Sequence, residues 1–542
     1  MNPSLTINFV MDGFFCGKSV IKGAQILSTS LARRRNLPFM TRLTCSIQKR
    51  GETNEQAMAP PSVLTHYTDG GYQMTKYSVE QLTYTDATFA PETITAALRQ
   101  QGQDVYLLET ARYSYLGFTP ALNMTYLDGE LTLRDAAGQT TTQKVALKTY
   151  LEALLQQYQV ERRPDLPPFS GGLVGYFAYD YAKYQLTKPQ PVANPLGIAD
   201  AGLMLLTKVV AYDKQTQQVH LLRTIACGQE NVAQQELKQL RQYLQQLQQQ
   251  QVQLPRPQLK TPLTARFTQT AYEKLLQQTV AHIYRGDIFQ MILSNPLRGQ
   301  LLGDLLPVYQ QMTAPYHFYF SQADFQIAAA SPETLLRRTG QHLATFPLAG
   351  TRRRGHDAAE DLALQQELQQ DTKEIAEHNM LVDLGRNDLG QVSAFGSVQV
   401  TAHMELKKFT KVMHLASTVE STAAAGVTAL DALNAVFPAG TLSGAPKVSA
   451  MTLISQLEQQ KRGAYGGCFG FIDFNGDADF AIGIRLAHKK GDTVTVHAGA
   501  GIVADSIPAH EYQECFNKSR AVVQALAAAT KQAEVLAHVT TH

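Results

Sequence analysis

Two pairs of glutamates in this sequence have the spacing of a shared helix face. Glu374 and Glu377 are three residues apart, and Glu511 and Glu514 repeat that spacing near the C-terminus. Residues three apart on a helix are neighbours, so each pair is expected to present two carboxylates together. Two such pairs around one cavity form an oxygen-only site that suits Mg²⁺ better than zinc. Either pair alone is more typical of a solvated helix face, so the metal hypothesis depends on other motifs.

The elements that carry these glutamates are predicted from apolar periodicity. One long helix is expected over about 359–384, and another from Ala509 to about Ala529. Ser506 is expected to cap the second helix, Pro508 suits its first turn, and Lys518 shares the glutamate face. Leucines at helical spacing in the Gln-rich residues 229–253 favour a surface helix over a disordered linker. The remaining expected elements are a strand at Val105–Leu108, a helix at Leu147–Tyr158, sheet within 169–180, a helix at Thr270–Arg285 and strands at Phe289–Leu293 and Phe318–Ala330.

Length and composition limit the class of protein. A chain of 542 residues exceeds one ordinary core, and 44% hydrophobic with 17% charged residues is typical of a globular protein. A net charge of +2 gives no general attraction for nucleic acid or membrane, and no apolar run reaches the roughly 20 residues of a membrane span. Five cysteines without a CxxC pair favour a reducing cytoplasm.

The first 73 residues differ from the rest of the chain. The first 50 contain eight Lys or Arg and one acid, which superficially resembles a transit peptide. Because clear periodicity begins only near Met74, the favoured hypothesis is an extension that is disordered or was included through a wrong start codon. A second boundary is expected near residue 262, where prolines follow the Gln-rich helix. The expected divisions are therefore 1–73, 74–262, 263–530 and a tail at 531–542.

Longer motifs surround the glutamates. They are Lys373–Gly390 (KEIAEHNMLVDLGRNDLG), Ser331-Pro332-Glu333, Ala349–Arg352 (AGTR), Gly440–Lys447 (GTLSGAPK) and Ala498–Ser506 (AGAGIVADS). Their types and order resemble the chorismate-utilising enzymes over roughly residues 75–530. The resemblance implies a large two-lobed α+β fold, with antiparallel sheets packed face to face and helices outside. It makes 263–530 the chorismate-binding catalytic region and 74–262 an N-terminal lobe with a tryptophan-binding element.

The resemblance also implies roles for individual residues. Glu377 and Glu514 would bind Mg²⁺ directly, with Glu374 and Glu511 assisting through water. Chorismate has two carboxylates, and glycines let main-chain N–H groups approach an anion, although tight β turns are the alternative reading of these glycines. The substrate-binding set implied is Thr351, Gly444, Ala445, Tyr465, Arg485, Gly499, Ala500, Gly501 and Lys518, with Tyr465 and Arg485 on the pyruvyl carboxylate.

The chemistry requires an acid and a base. The C4 hydroxyl must be protonated to leave, and Glu333 matches the family position proposed for that acid. Removal of the C2 proton then aromatises the ring, and His414 matches the histidine associated with this step; Thr441 matches a substrate contact. From local sequence alone Glu333 is equally typical of a helix start, and an isolated histidine is usually a core residue.

Two positions discriminate between branches of the family. Gln290 stands where isochorismate and salicylate synthases have a lysine that activates water, so it favours an amine-adding enzyme. Ala349 stands where many aminodeoxychorismate synthases have a nucleophilic lysine. We therefore expect chorismate and ammonia to give anthranilate and pyruvate for tryptophan biosynthesis. The alternatives are an aminodeoxychorismate-forming component and, less favoured, a catalytically silent subunit.

Partners and regulation follow from the same resemblance. Cys468 lies in a G-x-C-x-G imitation of a nucleophile elbow but lacks the accompanying residues, so a separate glutamine amidotransferase subunit and a hetero-oligomer are expected. Thr110, in a Leu-Leu-Glu-Thr element, with Pro315 and Tyr316, resembles the tryptophan inhibitor site. The second element lacks the usual Asn-Pro and Met, so weakened inhibition is expected. Asn295-Pro296 is a further departure from the family pattern.

Overall fold

The computed structural model describes residues 75–186, 191–250, 252–409 and 412–532. The predictions for the extension at 1–73, and for all of the tail beyond residue 532, lie outside these residues. In the part described, no helix is long and apolar enough to cross a membrane.

Twenty-five strands form the framework of the described residues. They are β1 (Tyr77–Thr85), β2 (Val105–Glu109), β3 (Tyr113–Phe118), β4 (Leu122–Leu127), β5 (Glu130–Asp135), β6 (Thr140–Lys144), β7 (Gly172–Phe177), β8 (Ala201–Leu206), β9 (Lys208–Asp213), β10 (Gln218–Ala226), β11 (Gln258–Leu259), β12 (Thr264–Ala265), β13 (Gln290–Leu302), β14 (Tyr316–Gln322), β15 (Phe325–Ser331), β16 (Thr334–Thr339), β17 (His342–Thr345), β18 (Leu348–Arg353), β19 (Gln399–Lys408), β20 (Val412–Thr422), β21 (Gly444–Ala445), β22 (Cys468–Asp473), β23 (Ala478–Ile482), β24 (Leu486–Lys490) and β25 (Thr493–Ile502).

The helices connect these strands. They are α1 (Pro91–Gln100), α2 (Leu147–Gln157), α3 (Glu230–Gln249), α4 (Gln269–Tyr284), α5 (Leu306–Tyr309), α6 (Ala358–Gln370), α7 (Thr372–Gly390), α8 (Ala429–Val436), α9 (Lys447–Glu458) and α10 (Pro508–Thr530), with 3₁₀ helices at Tyr179–Gln185 and Gly440–Leu442.

The strands form two antiparallel sheets. One runs β1-β10-β9-β3-β2-β14-β15-β24-β25-β13-β11, with β12 and β21 also on β13; the other runs β18-β20-β17-β16-β23-β22-β7-β8-β4-β5-β6, with β19 on β20. Their inner faces meet through aromatic side chains, as where Phe318 of β14 stacks on Phe469 of β22 with ring centroids 4.4 Å apart. The expected α+β fold with facing antiparallel sheets is therefore confirmed.

Strands from before and after residue 262 are mixed in both sheets. β2 pairs with β14 in the first sheet, and β7 pairs with β22 in the second. The segments 74–262 and 263–530 therefore do not form separate sheets. The boundary near residue 262 stays a prediction from the sequence.

Most of the expected helices and strands are observed, including the Gln-rich helix α3, whose Leu237, Leu240 and Leu244 are buried. The single long helix over 359–384 was wrong. The chain breaks at Asp371, whose carboxylate accepts the main-chain N–H groups of Lys373 and Glu374 and so begins a new helix, α7.

The expected cap of the last helix was also wrong. The cap position of α10 is Ile507, which makes no side-chain cap hydrogen bond. The Ser506 hydroxyl instead donates to Oε1 of Glu511 at 2.9 Å and accepts the N–H of Val503 at 3.1 Å.

Candidate active site

Strands β13 and β25 form the floor of the candidate site. Their antiparallel register pairs Ile292 with Gly501 and Ser294 with Gly499. Side chains alternate between the faces of a strand, so Gln290, Ile292 and Ser294 point to the same side as the positions of Gly499 and Gly501. Ala500 lies between the two glycines and its methyl group faces the other side, so only its main chain is available to this face.

Gln290 connects this floor to the first glutamate pair. Its Nε2 donates to Oε1 of Glu377 on α7 at 3.0 Å. The Gln290 amide also fills the space where a Cβ on Gly501 would stand, since that atom would lie 2.8 Å from Nε2. Gly444, with φ of +144°, brings its backbone against Gln290 so closely that a Cβ would lie 2.2 Å from the Gln290 carbonyl oxygen. Ala445 completes β21, and its carbonyl accepts the Phe289 N–H at 2.7 Å.

Tyr465 occupies the neighbouring part of the floor. Its hydroxyl would lie 2.9 Å from a Cβ on Gly499, so the absence of a side chain there makes room for the phenol. The ring stacks on His497, with centroids 4.3 Å apart. Burial raises the pKa of Tyr465, so the hydroxyl keeps its proton and can donate to an anion.

Glu333 is a buried carboxyl group beside Thr441. The Thr441 hydroxyl donates to Oε1 of Glu333 at 3.2 Å. Burial raises the pKa of Glu333 to about 7, against smaller lowering effects of the Thr441 hydrogen bond and the Lys518 charge. Glu333 begins no helix, because it precedes strand β16, so the helix-start alternative is excluded. A carboxylic acid that holds its proton near neutral pH is suited to general acid catalysis.

His414 is half-buried on β20 opposite strand β18. Its Nδ1 lies 3.0 Å from the carbonyl oxygen of Gly350 and 3.0 Å from the hydroxyl oxygen of Thr351. A carbonyl only accepts, so Nδ1 carries the hydrogen in the neutral ring and Nε2 is left with its lone pair. Burial lowers the pKa of His414, and the Arg485 charge acts in the same direction. The ring is therefore neutral at pH 7 and can accept a proton at Nε2.

Arg485 and Lys518 provide positive charge near these groups. Arg485 has φ of +50°, and its guanidinium donates to the main-chain carbonyl of Lys518. Burial lowers the pKa of Arg485, while the nearby Tyr465 and Glu514 raise it. Lys518 lies one helical turn from Glu514, with Nζ 3.7 Å from Oε1. Glu333, His414, Tyr465 and the face of α10 therefore lie within electrostatic range of these two cations.

The four glutamates have the donor chemistry expected for Mg²⁺. All are half-buried carboxylates on α7 or α10, and carboxylate oxygens are the ligands that a hard divalent cation prefers. Each has a partner within the chain: Glu374 pairs with Arg352, Glu377 accepts from Gln290, Glu511 accepts from Ser506, and Glu514 lies near Lys518. Within the four described ranges, no three His, Cys, Asp or Glu side chains are gathered closely enough to hold a metal. The donor set fits the ion, and binding requires the two pairs to approach and exchange these partners.

The three predicted inhibitor residues lie together in a cavity of about 680 Å³. Thr110, Pro315 and Tyr316 line it, along with Arg337 and Asp479. β2 and β14 are adjacent strands, which brings the two sequence elements together. The Tyr316 hydroxyl donates to Oδ1 of Asp479 at 2.7 Å and accepts from Nη2 of Arg337 at 2.8 Å.

Comparison with known proteins gives the family. A family model described as chorismate binding enzyme matches residues 95–524. The chain belongs to this family. Anthranilate synthase component 1 of Neisseria gonorrhoeae is 41% identical over 389 residues, or 69% of this chain and 79% of that protein. The component 1 protein of Thermus thermophilus is 37% identical over 448 residues, or 80% of this chain and 95% of that protein.

Solved structures show the same chorismate-binding fold. Anthranilate synthase component I from Streptococcus pneumoniae superposes with a TM-score of 0.66 and 32% identity, covering 76% of this chain and 92% of that one. The menaquinone-specific isochorismate synthase of Escherichia coli has a TM-score of 0.62 at 20% identity, covering 84% and 95%. The second likeness concerns the fold alone.

Some features of this chorismate-binding enzyme were not predicted. His378, next to Glu377, is buried against the Ser417 hydroxyl at 2.6 Å, and burial lowers its pKa to about 4, which makes it a structural residue. Cys468, by contrast, behaves as expected: it is buried at the start of β22, and burial raises the pKa of its thiol, which disfavours a role as nucleophile. The fully buried ion pair of Arg462 and Glu458 was also not predicted, because Glu458 lies in no motif that could have revealed it.

Proposed function

We propose that this chain is component I of an anthranilate synthase. It would convert chorismate and ammonia to anthranilate, pyruvate and water, a lyase reaction that supplies tryptophan biosynthesis. The observation that carries this proposal is the pair of complementary groups in the site: a buried acid, Glu333, with a pKa of about 7, and a neutral imidazole, His414, whose Nε2 has no hydrogen bond to any described residue. The relatives named as anthranilate synthase component 1 support it.

Substrate binding follows from the charges on the floor of the site. Chorismate is a dianion, and Arg485, Lys518 and the Tyr465 hydroxyl can each donate to a carboxylate. Gly499 and Gly501 have no side chains, which leaves space above β25. The Tyr465 hydroxyl and the Gln290 amide occupy part of that space, and the ligand would occupy the rest. We assign the enolpyruvyl carboxylate to Tyr465 and Arg485, while Thr351, beside His414, contacts the ring side of the substrate.

The acid step uses Glu333. Ammonia forms a bond to ring carbon C2 while the C4 hydroxyl leaves with the bonding electrons of its C–O bond. Hydroxide is a poor leaving group, so the Glu333 carboxyl donates its proton and water departs. The Thr441 hydroxyl donates to the carboxylate that remains, which stabilises it until it regains a proton from solvent.

The second half uses His414. Nε2 removes the proton from C2, the electron pair of that C–H bond enters the ring, and the enolpyruvyl C–O bond breaks. The leaving enolate takes a proton and becomes pyruvate. The carbonyl of Gly350 holds the imidazole through Nδ1–H, which fixes the tautomer that this step requires and stabilises the imidazolium that forms.

Gln290 favours amination of the substrate, and Ala349 favours the ortho-amino product. Gln290 cannot deprotonate water, and ammonia needs no such activation, so a glutamine here is compatible with amination. Ala349 offers no amine to attack the ring, unlike the lysine of many aminodeoxychorismate synthases. Its backbone pairs with Leu415 in the β18–β20 ladder, one residue before the Gly350 carbonyl that contacts His414.

Magnesium, a partner and feedback complete the proposal. Glu377 and Glu514 would hold Mg²⁺, with Glu374 and Glu511 through water, and the ion would neutralise the ring carboxylate of the substrate. A glutamine amidotransferase subunit would supply ammonia in a cytoplasmic hetero-oligomer. Tryptophan would bind in the cavity of Thr110, Pro315 and Tyr316, where the carboxylate of Asp479 and the guanidinium of Arg337 suit an amino acid zwitterion.

The test is turnover by the purified chain. With chorismate, ammonium salt and Mg²⁺, we expect fluorescent anthranilate and pyruvate in equal amounts. Accumulation of a 4-amino adduct would instead establish the para-amino alternative, and chorismate binding without turnover would establish a silent subunit.

Metal binding is measured separately, by calorimetry with Mg²⁺. Glu514→Gln should weaken binding at least tenfold, whereas Glu130→Gln, an exposed carboxylate on β5 with 53% of its side chain accessible, should bind like the unmodified chain. Equal Mg²⁺ affinity in all three proteins would contradict the ligand assignment.

A further inference from the structure

A buried ion pair packs beside Ser294, on the same face of β13 as Gln290. Glu458 is the last residue of α9 and Arg462 follows it by four residues; their side chains are 4% and 1% exposed. Nε and Nη2 of Arg462 donate to the two carboxylate oxygens at 2.8 and 2.6 Å, so the pair is bidentate. Two further guanidinium N–H groups bind the carbonyls of Leu442 and Ile292 at 2.6 and 2.9 Å. Four of the five guanidinium N–H groups therefore have partners here, and the pair joins α9, β13 and the chain before β21.

Ser294 extends this pair toward the substrate side. Its main-chain N–H and its hydroxyl both approach Oε1 of Glu458, at 2.9 and 2.8 Å. The same hydroxyl oxygen lies 2.9 Å from Nε2 of His497. A serine has one hydroxyl proton and a carboxylate only accepts, so Ser294 donates to Glu458 and accepts from Nε2–H of His497.

His497 connects Ser294 to Tyr465, because its ring packs against the Tyr465 ring. The two rings are nearly parallel, at 22°, with centroids 4.3 Å apart. The guanidinium of Arg462 lies 5.8 Å from the Tyr465 ring centroid, on the same buried assembly. The Tyr465 hydroxyl reaches the open position above Gly499, the cross-strand partner of Ser294. Phenol, imidazole, serine and ion pair thus form one continuous contact chain.

We propose that Ser294 is a positioning residue for substrate binding: through His497 it fixes the Tyr465 ring against the Arg462–Glu458 pair, so that the Tyr465 hydroxyl points at the substrate carboxylate. This rests on the proposed function, which assigns that carboxylate to Tyr465. A hydrogen-bonded ring has one orientation, whereas a ring held only by apolar contacts can rotate, and a loosely held donor binds an anion less well. Ser294 itself never reaches the ligand.

The proposal predicts a specific kinetic signature. Ser294→Ala removes the hydroxyl and leaves the Arg462–Glu458 bonds in place. We expect KM for chorismate to rise about tenfold with kcat changed less than twofold, because ground-state binding is lost while Glu333 and His414 are untouched. Tyr465→Phe should raise KM similarly. The double variant should add little to either single change, because both remove the same interaction.

The matched control is Ser114→Ala. Ser114 lies on β3 of the same sheet, is 2% exposed, and donates to a carboxylate, Oε1 of Glu109, at 2.7 Å. The Ser114→Ala variant therefore loses an equivalent buried hydrogen bond outside the site. Its KM for chorismate should equal that of the unmodified chain in assays without tryptophan. Equal KM shifts in both variants, or additive effects of Ser294→Ala and Tyr465→Phe, would overturn the positioning role.

Direct binding separates this proposal from the proposed function. Calorimetry with chorismate and Mg²⁺, without ammonia, needs no turnover and should give a dissociation constant about tenfold higher for Ser294→Ala than for Ser114→Ala. If the unmodified chain binds chorismate but makes no anthranilate, the proposed function fails while the affinity ratio still tests the positioning role. A ratio near one would overturn the positioning role even in an active enzyme.

Discussion

The pH dependence of catalysis tests the assignment of Glu333 as the acid. Only the protonated carboxyl can donate to the leaving hydroxyl, and burial raises its pKa to about 7. Above this pH the protonated fraction falls tenfold per unit, so kcat/KM at constant free ammonia should drop by about a hundredfold between pH 6 and pH 9. Anthranilate fluorescence measures the rate directly. Thr441→Val removes a hydrogen bond that lowers the pKa, so the descending limb should move to higher pH.

The pH profile of the unmodified enzyme is to be compared with that of a variant that lacks the Glu333 carboxyl group. Glu333→Gln keeps the size of the side chain but cannot donate an acidic proton, so its rate should fall by about 10²- to 10⁴-fold and lose the limb near pH 7. An unmodified enzyme whose rate stays level or rises from pH 6 to pH 9, or a Glu333→Gln variant that keeps the descending limb, would refute the acid role.

Two further predictions concern stability and packing. Burial raises the pKa of folded Glu333 from 4.5 to about 7, so the folded state holds the proton more tightly and the free energy of unfolding falls as pH rises between these values. Glu333→Gln lacks this loss and should gain about 2–3 kcal/mol over the unmodified chain between pH 5 and pH 8 in urea titrations; a pH-independent difference would contradict the raised pKa. Gly501→Ala places a methyl 2.8 Å from a movable amide, so it should break the Gln290–Glu377 bond and lower kcat/KM at least tenfold with little change in Tm. Gly444→Ala instead meets a backbone carbonyl at 2.2 Å and should lower Tm markedly; the reverse order of Tm losses would contradict both packing assignments.

Periodicity in the sequence was sufficient to predict the helices that carry the glutamates. Glu511 and Glu514 lie on α10 as expected, because one apolar stripe runs almost the length of that helix. The break at Asp371 was missed since the apolar pattern continues across it, and an Asp within such a run reveals its capping role only when two N–H groups face its carboxylate. Local pattern therefore predicts the helix face better than the helix end.

The glycine motifs were predicted to form part of the binding site. The side chains that require glycine at these positions come from distant parts of the sequence. Gly499 and Gly501 leave room for the Tyr465 hydroxyl and the Gln290 amide, which come from 34 and 211 residues away in sequence by the numbering of the chain. Which side chain fills the space above a glycine is set by strand register, and register between β13 and β25 is a long-range property. The sequence alone could name the glycines but not the side chains that require them.

The departure at Asn295 has a structural explanation. Its side-chain amide accepts the N–H of Phe267 at 3.0 Å and donates to the Phe267 carbonyl at 2.9 Å. This two-way bond ties the segment before α4 to β13, while Pro296 accepts from the Arg266 N–H at 3.0 Å. The residue therefore anchors a neighbouring segment and is buried away from solvent, which accounts for a polar side chain within the strand.

The mixing of early and late strands gives the candidate inhibitor cavity a direct physical link to the acid. Tyr316 lines that cavity, and its hydroxyl lies 3.2 Å from the hydroxyl of Thr334, which also lines it. Thr334 follows Glu333 directly, so one peptide bond separates the cavity wall from the proposed acid. Thr110 directly follows β2, which pairs with β14, the strand that begins with Tyr316. A ligand that contacts both Thr110 and Tyr316 would therefore also lie close to Thr334. The N-terminal segment therefore packs in the same sheet as Tyr316, which contacts Thr334 beside the proposed acid. Because protein interiors are closely packed, a shift of the Tyr316 side chain requires a shift of Thr334, the neighbour of Glu333.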